Sequence, residues 1–196
     1  MAKSKVLDMV LVGGATAVAG GIAASGAQAQ SLDGFYGGIS YADIGGDYGL
    51  EFADYNFEGG SAGLFTGYNL SVGDMVLGVE LAYVGSDITI EPSAYDYTFN
   101  NLIDISGRAG KVFGDVFVYG KAGVSFVGVE TDFGYWDGNE IASGAHVGLG
   151  LDYVIADRYF VGADVTRRFM RYTDEVGQYV PSNEIDTASL RVGMRF

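Results

Sequence analysis

The chain has 196 residues and no cysteine, so it is long enough for one folded domain and does not rely on disulfides. Hydrophobic residues make up 48% of it, which excludes a disordered protein. The formal charge of −14 disfavours nucleic acid as a partner, because phosphate binding requires basic patches.

Residues 1–29 are predicted to be a cleaved export signal. A positively charged start precedes a mostly apolar run from Val6 to Ile22, and Ala27-Gln28-Ala29 has the small-x-small pattern of a cleavage site. The alternative is a transmembrane helix, which Asp8 and the glycines of the run disfavour. We therefore expect one mature domain over 30–196 with a charge of −15.

The mature chain divides into strand-like segments with alternating connection lengths. The predicted strands are 34–42, 61–70, 75–85, 99–110, 116–128, 142–153, 159–169 and 185–196. The short connections are 71–74, 111–115 and 154–158, and they contain turn residues such as Gly73-Asp74 and Gly114-Asp115. The long connections lack periodicity, and they are 43–60, 86–98, 129–141 and 170–184. All short turns therefore lie at one end of the sheet, which is typical of outer-membrane barrels.

Charges within each predicted strand share one face. Successive side chains of a strand point to opposite faces, so Glu80 faces away from Val79 and Leu81, and Arg191 faces away from Val192. We predict that the charges of this inner face form one network, in which Glu80 pairs with Arg108 or Lys121. The predicted members are Glu80, Asp104, Arg108, Lys121, Asp152, Asp164, Arg168, Arg191 and Arg195.

One charged face and one apolar face distinguish a membrane barrel from a soluble one. A soluble carrier barrel of lipocalin type has an apolar interior and external charges. Four acids and five bases on a dry core face would be very costly, whereas a polar lumen inside a lipid-facing wall accommodates them. Arg167 and Asp186 are exceptions near the loop ends. The sequence predicts an all-β fold, an eight-stranded antiparallel up-and-down transmembrane β-barrel.

Outward-facing aromatic residues cluster near the two ends of the predicted strands. The short-turn end has Phe35, Tyr68, Tyr153, Tyr159 and Phe196, and the long-loop end has Tyr41, Tyr83, Phe126 and Phe169. Aromatic side chains are enriched at both headgroup levels of membrane proteins, although they also favour strands in general. We expect two aromatic girdles.

Short glycine-rich motifs, in this order and spacing, resemble the small eight-stranded outer-membrane barrels of Gram-negative bacteria. These are the outer membrane protein A-like transmembrane domains and related porin-like surface proteins. The resemblance covers nearly all of the mature chain, and its motifs are Gly34-Phe35-Tyr36-Gly37-Gly38, Gly67-Tyr68-Asn69, Val76-Leu77-Gly78-Val79-Glu80, Gly107-Arg108-Ala109-Gly110, Tyr119-Gly120-Lys121-Ala122-Gly123, Gly148-Leu149-Gly150-Leu151-Asp152-Tyr153 and Phe196. It implies that Phe196 is the assembly signal for the barrel assembly machinery. It does not imply a wall-anchoring role, because no peptidoglycan-binding segment follows the barrel motifs.

Catalytic and metal sites are not favoured by the sequence. A lipid hydrolase at the barrel rim would need Ser, His and an acid within hydrogen-bond reach. Ser143 and His146 have opposite parity, which means that they point to opposite faces of the strand, and Asp152 is six residues from His146. Oxygen-rich residues at 137–140 could hold a divalent cation, but they lack the spacing of a defined calcium loop. We expect no enzymatic activity, cofactor or metal.

The predicted function is that of an integral protein of the cell outer membrane with a structural or surface-interaction role. A small-solute or ion channel is the alternative, and a rim hydrolase is less favoured. The long connections contain fifteen acids and one base, Arg171. We expect a monomer in contact with outer-membrane lipid and lipopolysaccharide, and a cationic or cell-surface ligand at these acidic loops.

Overall fold

The computed structural model describes residues 32–50, 53–90, 96–132, 137–156, 158–171 and 183–196. The predicted export signal lies outside these residues. Eight strands follow one another along the chain: β1 (Gly34–Leu50), β2 (Ala53–Val72), β3 (Met75–Ile90), β4 (Asp96–Phe113), β5 (Val116–Asp132), β6 (Asp137–Ile155), β7 (Tyr159–Arg171) and β8 (Asn183–Arg195). No helix that is long and apolar enough to cross a membrane occurs in the described ranges.

The eight strands form a closed barrel in which each strand is antiparallel to both neighbours. Closure is made by β1 and β8, which pair from Tyr36↔Arg195 to Asp47↔Glu184. The Phe196 amide extends this seam by donating to the Phe35 carbonyl at 2.9 Å. Closure matters because an open edge in lipid would leave backbone groups unpaired. The predicted fold class is confirmed.

Tight turns join the strands at one end of the barrel. Gly73-Asp74 and Gly114-Asp115 connect β2 to β3 and β4 to β5, as predicted. Gly73 and Gly114 have φ values of 60° and 63°, and a positive φ at the first central position is a feature of type II′ hairpins, which select glycine there. At the same end, β6 stops at Ile155 and β7 begins at Tyr159, and Ala156, which follows β6, has a φ of 49°.

The strands continue beyond their predicted outer ends, so the long loops predicted at 43–60, 86–98, 129–141 and 170–184 are wrong over their described residues, which are all strand. The remaining residues of these segments, 51–52, 91–95, 133–136 and 172–182, lie outside the described ones. The β1–β2 pairing, for example, runs from Gly34↔Asn69 to Leu50↔Ala53. Similar extensions carry β3 to Ile90, β5 to Asp132 and β6 back to Asp137. Alternation of apolar and polar residues reports a strand only where its two faces meet different media. Towards the outer end the inward positions also become apolar, as at Ile44 and Met170, so the alternation weakens while the hydrogen-bonded ladder continues.

The outer wall is apolar, and large exposed hydrophobic side chains occur on every strand. The residues of both predicted girdles are exposed; at the short-turn end, Phe35 and Tyr68 form an edge-to-face pair with ring centroids 4.9 Å apart. Inside, two buried apolar layers lie at opposite ends of the lumen. The outer layer consists of Ala42, Ile44, Val84, Leu102, Val127, Ala142, Met170 and Ile185. The layer near the tight turns consists of Leu32, Val76, Phe117, Tyr119 and Val154.

Candidate functional site: the charged lumen

The barrel interior between the two apolar layers is occupied by ionised side chains. They belong to six strands, β3 to β8, and occupy the alternate positions whose side chains point into the lumen. Eight of the nine predicted lumen charges are buried, and Arg195 is half-buried near the tight-turn end. The buried charges are Glu80, Asp104, Arg108, Lys121, Asp152, Asp164, Arg168 and Arg191. Four acids thus face four bases, a balance that a narrow interior requires because an unpaired buried charge is strongly destabilising.

Glu80 is the centre of the network. Its Oε2 atom accepts hydrogen bonds from Arg108 Nη1 at 2.7 Å, Arg191 Nη2 at 2.6 Å and the Tyr36 hydroxyl at 2.9 Å. Arg191 reaches Glu80 from β8 across the lumen. Lys121, the alternative partner predicted for Glu80, instead donates to Asp164 Oδ1 at 2.6 Å.

The two arginines of this centre also connect it to the opposite wall. Arg108 Nη2 donates to Asp152 Oδ2 at 2.9 Å. Arg191 Nη1 lies 3.4 Å from Asp164 Oδ2 and donates to the Tyr119 hydroxyl at 3.1 Å. Charge-assisted contacts therefore link β3, β4, β6, β7 and β8 through the middle of the barrel.

Aromatic rings cover the guanidinium groups of both arginines. The Arg108 guanidinium carbon lies 4.0 Å from the Tyr119 ring centroid, and that of Arg191 lies 3.9 Å from the Phe65 centroid. Such cation–π contacts are stronger when desolvated. The rings pack against the guanidinium groups and orient them towards their carboxylates.

A second charged cluster lies closer to the outer apolar layer. Arg168 donates to both carboxylate oxygens of Asp104, from Nε at 3.1 Å and from Nη2 at 2.5 Å. Ser125 donates to Asp104 Oδ1 at 2.6 Å. Since this uses the only hydroxyl proton of Ser125, its oxygen accepts from His146 Nδ1 at 2.8 Å. His146 Nε2 then faces the Ser106 hydroxyl at 2.8 Å.

Serine, histidine and aspartate thus meet inside the lumen at His146, but the serines and the aspartate are not the ones weighed from the sequence. Ser143 is exposed on the outer wall, whereas the serines at His146 are Ser106 and Ser125, both buried. Their common inward parity was the available signal. It could not reveal contacts between β4, β5 and β6 at one level, because those depend on the register of the closed barrel.

No group of three or more His, Cys, Asp or Glu side chains suited to a metal ion is found in the part of the chain that the structure describes. The oxygen-rich residues 137–140 belong to the backbone of β6, and their side chains lie outside the described ones.

Comparison with known proteins identifies the family of this barrel. The model of the outer membrane protein beta-barrel domain family matches residues 14–196. The chain belongs to this family. The outer membrane protein beta-barrel family places the chain in the cell outer membrane, as the sequence predicted.

One relative by sequence and two proteins of known structure illustrate this similarity. The chain is 29% identical to the 22 kDa outer membrane protein of Rhizobium leguminosarum bv. viciae over 178 residues, which cover 86% of this chain and 80% of that protein. The crystal structure of Ail, the attachment invasion locus protein of Yersinia pestis, has a TM-score of 0.57 at 16% identity, covering 84% of this chain and all of Ail. Neisserial surface protein A has a TM-score of 0.56 at 18% identity, covering 83% and 97%.

The outer apolar layer is the part of this family member's lumen that sequence analysis missed. Ile44 and Met170 fell within predicted loops, although both continue the inward parity of their strands. The inward positions become apolar just beyond the last polar lumen side chain of a strand, as at Leu102 after Asp104 and at Val127 after Ser125. That change of polarity was the signal for a lumen closed at its outer end.

Proposed function

We propose that this protein is a closed membrane-embedded scaffold that presents acidic strand ends at the cell surface, without a resting pore and without enzymatic activity. The observation that carries this proposal is the filling of the lumen by three successive layers: an apolar layer, an ion-paired middle and a second apolar layer. Eight strands leave an interior that side chains can fill.

The ion-paired middle supports a closed barrel because its side chains cross the lumen. Arg191 on β8 reaches Glu80 on β3, and Arg108 on β4 reaches Asp152 on β6. A permeating ion would have to separate these pairs in a low-dielectric interior, where leaving one partner unpaired is strongly unfavourable. The outer apolar layer adds a barrier that offers no ligand to a hydrated ion.

The environment of His146 supports a structural role rather than hydrolysis. Both serines that contact it are buried, and Asp104 is held by Arg168. A hydrolase requires a nucleophile that the substrate can reach, and the apolar wall and the outer layer separate these serines from lipid and from the outside.

Charge at the outer end supports a surface role. The segments 43–60, 86–98, 129–141 and 170–184 together contain fifteen acids and one base. One structural neighbour, Ail of Yersinia pestis, has been crystallised with a heparin analogue, sucrose octasulfate, at 14% identity. A polyanion of that kind would be repelled by the acidic ends of this barrel, so we propose a cationic or cell-surface ligand instead.

The proposed partners of the wall are lipid, lipopolysaccharide and the assembly machinery. The barrel would act as a monomer whose apolar exterior contacts acyl chains. The exposed ring of Phe196, beside the closing seam, would be accessible to the barrel assembly machinery.

Planar-bilayer recordings test the closed state. We expect refolded wild-type protein to show no step-like conductance, and the paired substitution Glu80→Ala with Arg191→Ala to stay closed as well, because the two apolar layers are unchanged. Heat-modifiable gel mobility verifies that both proteins are folded. Steady single-channel conductance of the folded wild type would show that the protein is a channel and not a closed scaffold.

Protease treatment of whole cells, with peptide mapping, tests whether the acidic ends face outwards.

A further inference from the structure

We infer that the tight-turn end of the lumen contains a binding site for one internal water molecule, held by Asn69, Arg108 and Asp152. This inference concerns the hydration of the barrel and is independent of the proposed surface role. It rests on a cavity, on three lining residues whose buried polar atoms have no hydrogen-bond partner among the described residues, and on two glycines that make room for two of those atoms.

The cavity lies between the charged middle and the apolar layer near the tight turns. It has room for about one water molecule. Its wall is mixed: apolar side chains from the layer form one part, and polar side chains from the network form the other. The lining residues are Leu32, Tyr36, Asn69, Arg108, Phe117, Asp152, Val154, Phe160 and Arg195.

Three residues of this lining each have a buried polar atom for which the described part of the chain provides no hydrogen-bond partner. The three atoms are Asn69 Oδ1, Asp152 Oδ1 and Arg108 Nε, on side chains of residues that are 4%, 5% and 4% exposed. Arg108 donates from Nη1 to Glu80 and Tyr36 and from Nη2 to Asp152 Oδ2, so Nε is the one nitrogen of its guanidinium group without a partner among the described residues. Asp152 Oδ1 has only an ion-pair contact, 3.4 Å from Arg191 Nε. Buried polar groups left in this way are costly unless water satisfies them.

Two glycines provide the space in which the two acceptors lie. A Cβ atom on Gly78 would overlap Asn69 Oδ1, and one on Gly162 would overlap Asp152 Oδ1. Each acceptor therefore lies against the backbone of a neighbouring strand. Any larger residue at Gly78 or Gly162 would displace an atom that lines the cavity.

The chemistry of the three atoms identifies the ligand. Asn69 Oδ1 and Asp152 Oδ1 accept hydrogen bonds, whereas Arg108 Nε donates one. A chloride ion would satisfy Arg108 and be repelled by both oxygens, and a metal cation would have the opposite conflict. Water both donates and accepts, fits the size of the cavity, and makes about three hydrogen bonds at typical internal sites.

This site makes the hydration of the lumen asymmetric. The outer cluster of Asp104, Ser125, His146 and Arg168 contains no buried side-chain nitrogen or oxygen without a hydrogen-bond partner among the described residues, and the outer apolar layer covers it. The inner half requires water, and the outer half does not.

Water-selective NMR cross-relaxation on the refolded, ¹⁵N-labelled protein tests the inference. We expect the Arg108 Nε–H signal to show a cross-peak to a slowly exchanging water. The matched control is Arg168 Nε–H, which donates to Asp104 Oδ1 at 3.1 Å in the outer cluster and should show none. Asn69→Leu should fill the cavity and abolish the Arg108 cross-peak.

Two results would overturn the inference. One is folded wild-type protein in which Arg108 Nε–H shows no water cross-peak, or in which Arg108 and Arg168 show equal ones. The other is a shift of the Arg108 Nε–H signal on titration with chloride and without a water cross-peak, which would assign the cavity to an anion. Both measurements use the wild type, so they decide the matter even where Asn69→Leu fails to fold.

Discussion

Arg167 and Asp186 form a bidentate ion pair across β7 and β8 near the outer end of the barrel. Arg167 Nε donates to Asp186 Oδ1 at 2.8 Å and Nη2 to Oδ2 at 2.7 Å. The two residues are register partners, and Glu184 Oε2 lies 3.4 Å from Arg167 Nη1. They are also the two charges that break the parity of their strands. Their mutual pairing explains how both are accommodated on the outward face, since bidentate pairs of this kind are the stronger hydrogen bonds.

Removing one partner of this pair should be costly. Arg167→Leu leaves the Asp186 carboxylate without its bidentate donor, and we expect the free energy of unfolding to fall by about 1–3 kcal/mol. The double substitution with Asp186→Leu should recover part of the loss, with a coupling energy of about 0.5–3 kcal/mol. Urea unfolding in lipid vesicles measures all three variants. Strictly additive losses would show that the two residues do not depend on each other.

The lipid-facing assignment of the wall predicts a depth-dependent cost of charge. Leu149 and Ile141 are both exposed on the same face of β6, but Leu149 lies between the aromatic girdles and Ile141 near the outer strand end. Leu149→Arg should destabilise the barrel by about 2–4 kcal/mol and Ile141→Arg by about 0–1 kcal/mol. Heat-modifiable gel mobility and urea unfolding compare them. Equal costs at the two positions would contradict a membrane-spanning wall.

Sequence parity assigns a lumen charge to its face without assigning its partner. It placed Glu80, Arg108 and Arg191 on the inner face, but the partners predicted for Glu80 were Arg108 or Lys121, without Arg191. Glu80 and Arg191 are 111 residues apart and lie on β3 and β8. Their contact depends on the diameter of the closed barrel and on the level at which each side chain enters the lumen. Neither quantity is contained in the alternation of a single strand.

The pairing of Glu80 can be tested by double-mutant cycles. We expect Glu80→Gln to lower the free energy of unfolding by about 3–5 kcal/mol, because two buried arginines lose a shared carboxylate. Its coupling to Arg191→Gln and to Arg108→Gln should lie at about 0.5–3 kcal/mol. Coupling to Lys121→Gln should be smaller, since Lys121 binds Asp164. A Lys121 coupling equal to that of Arg191 would contradict the observed arrangement.

Two glycines on adjacent strands should respond oppositely to alanine. A Cβ atom on the inward-facing Gly150 would overlap the Tyr119 ring, whereas one on the outward-facing Gly120 would meet only atoms 3.9 Å away. Gly150→Ala should therefore cost about 1–3 kcal/mol through overpacking. Gly120→Ala should stabilise the barrel by about 0.4–1 kcal/mol, because alanine loses less backbone entropy on folding. Urea midpoints of the two variants check the difference, and a destabilising Gly120→Ala would show that its outward surface is not open.

Strand number, order and inner face followed from the sequence because the membrane imposes different media on the two sides of each strand. The outer strand ends did not, because their inward positions change from polar to apolar and the contrast between the two faces is lost. Asp43 shows the limit: it was assigned to a loop, yet it pairs in register with Gly60 on β2 and Ala188 on β8. Charge, in contrast to periodicity, does not depend on the backbone conformation, so the acidity of the outer end was evident from the sequence.

That acidity gives a prediction for the proposed surface role. Replacing the five acids of 43–60 by Asn or Gln should leave folding intact and weaken binding to cells or to a cationic ligand such as polylysine; these acids are Asp43, Asp47, Glu51, Asp54 and Glu58. Exposed charges are screened beyond about 10 Å at 0.1 M salt, so wild-type binding should also weaken steeply as salt rises. The matched control is Asp74→Asn with Asp115→Asn, which removes acids at the tight-turn end and should leave binding unchanged. Binding that responds neither to salt nor to the five substitutions would show that these acids only keep the outer end soluble.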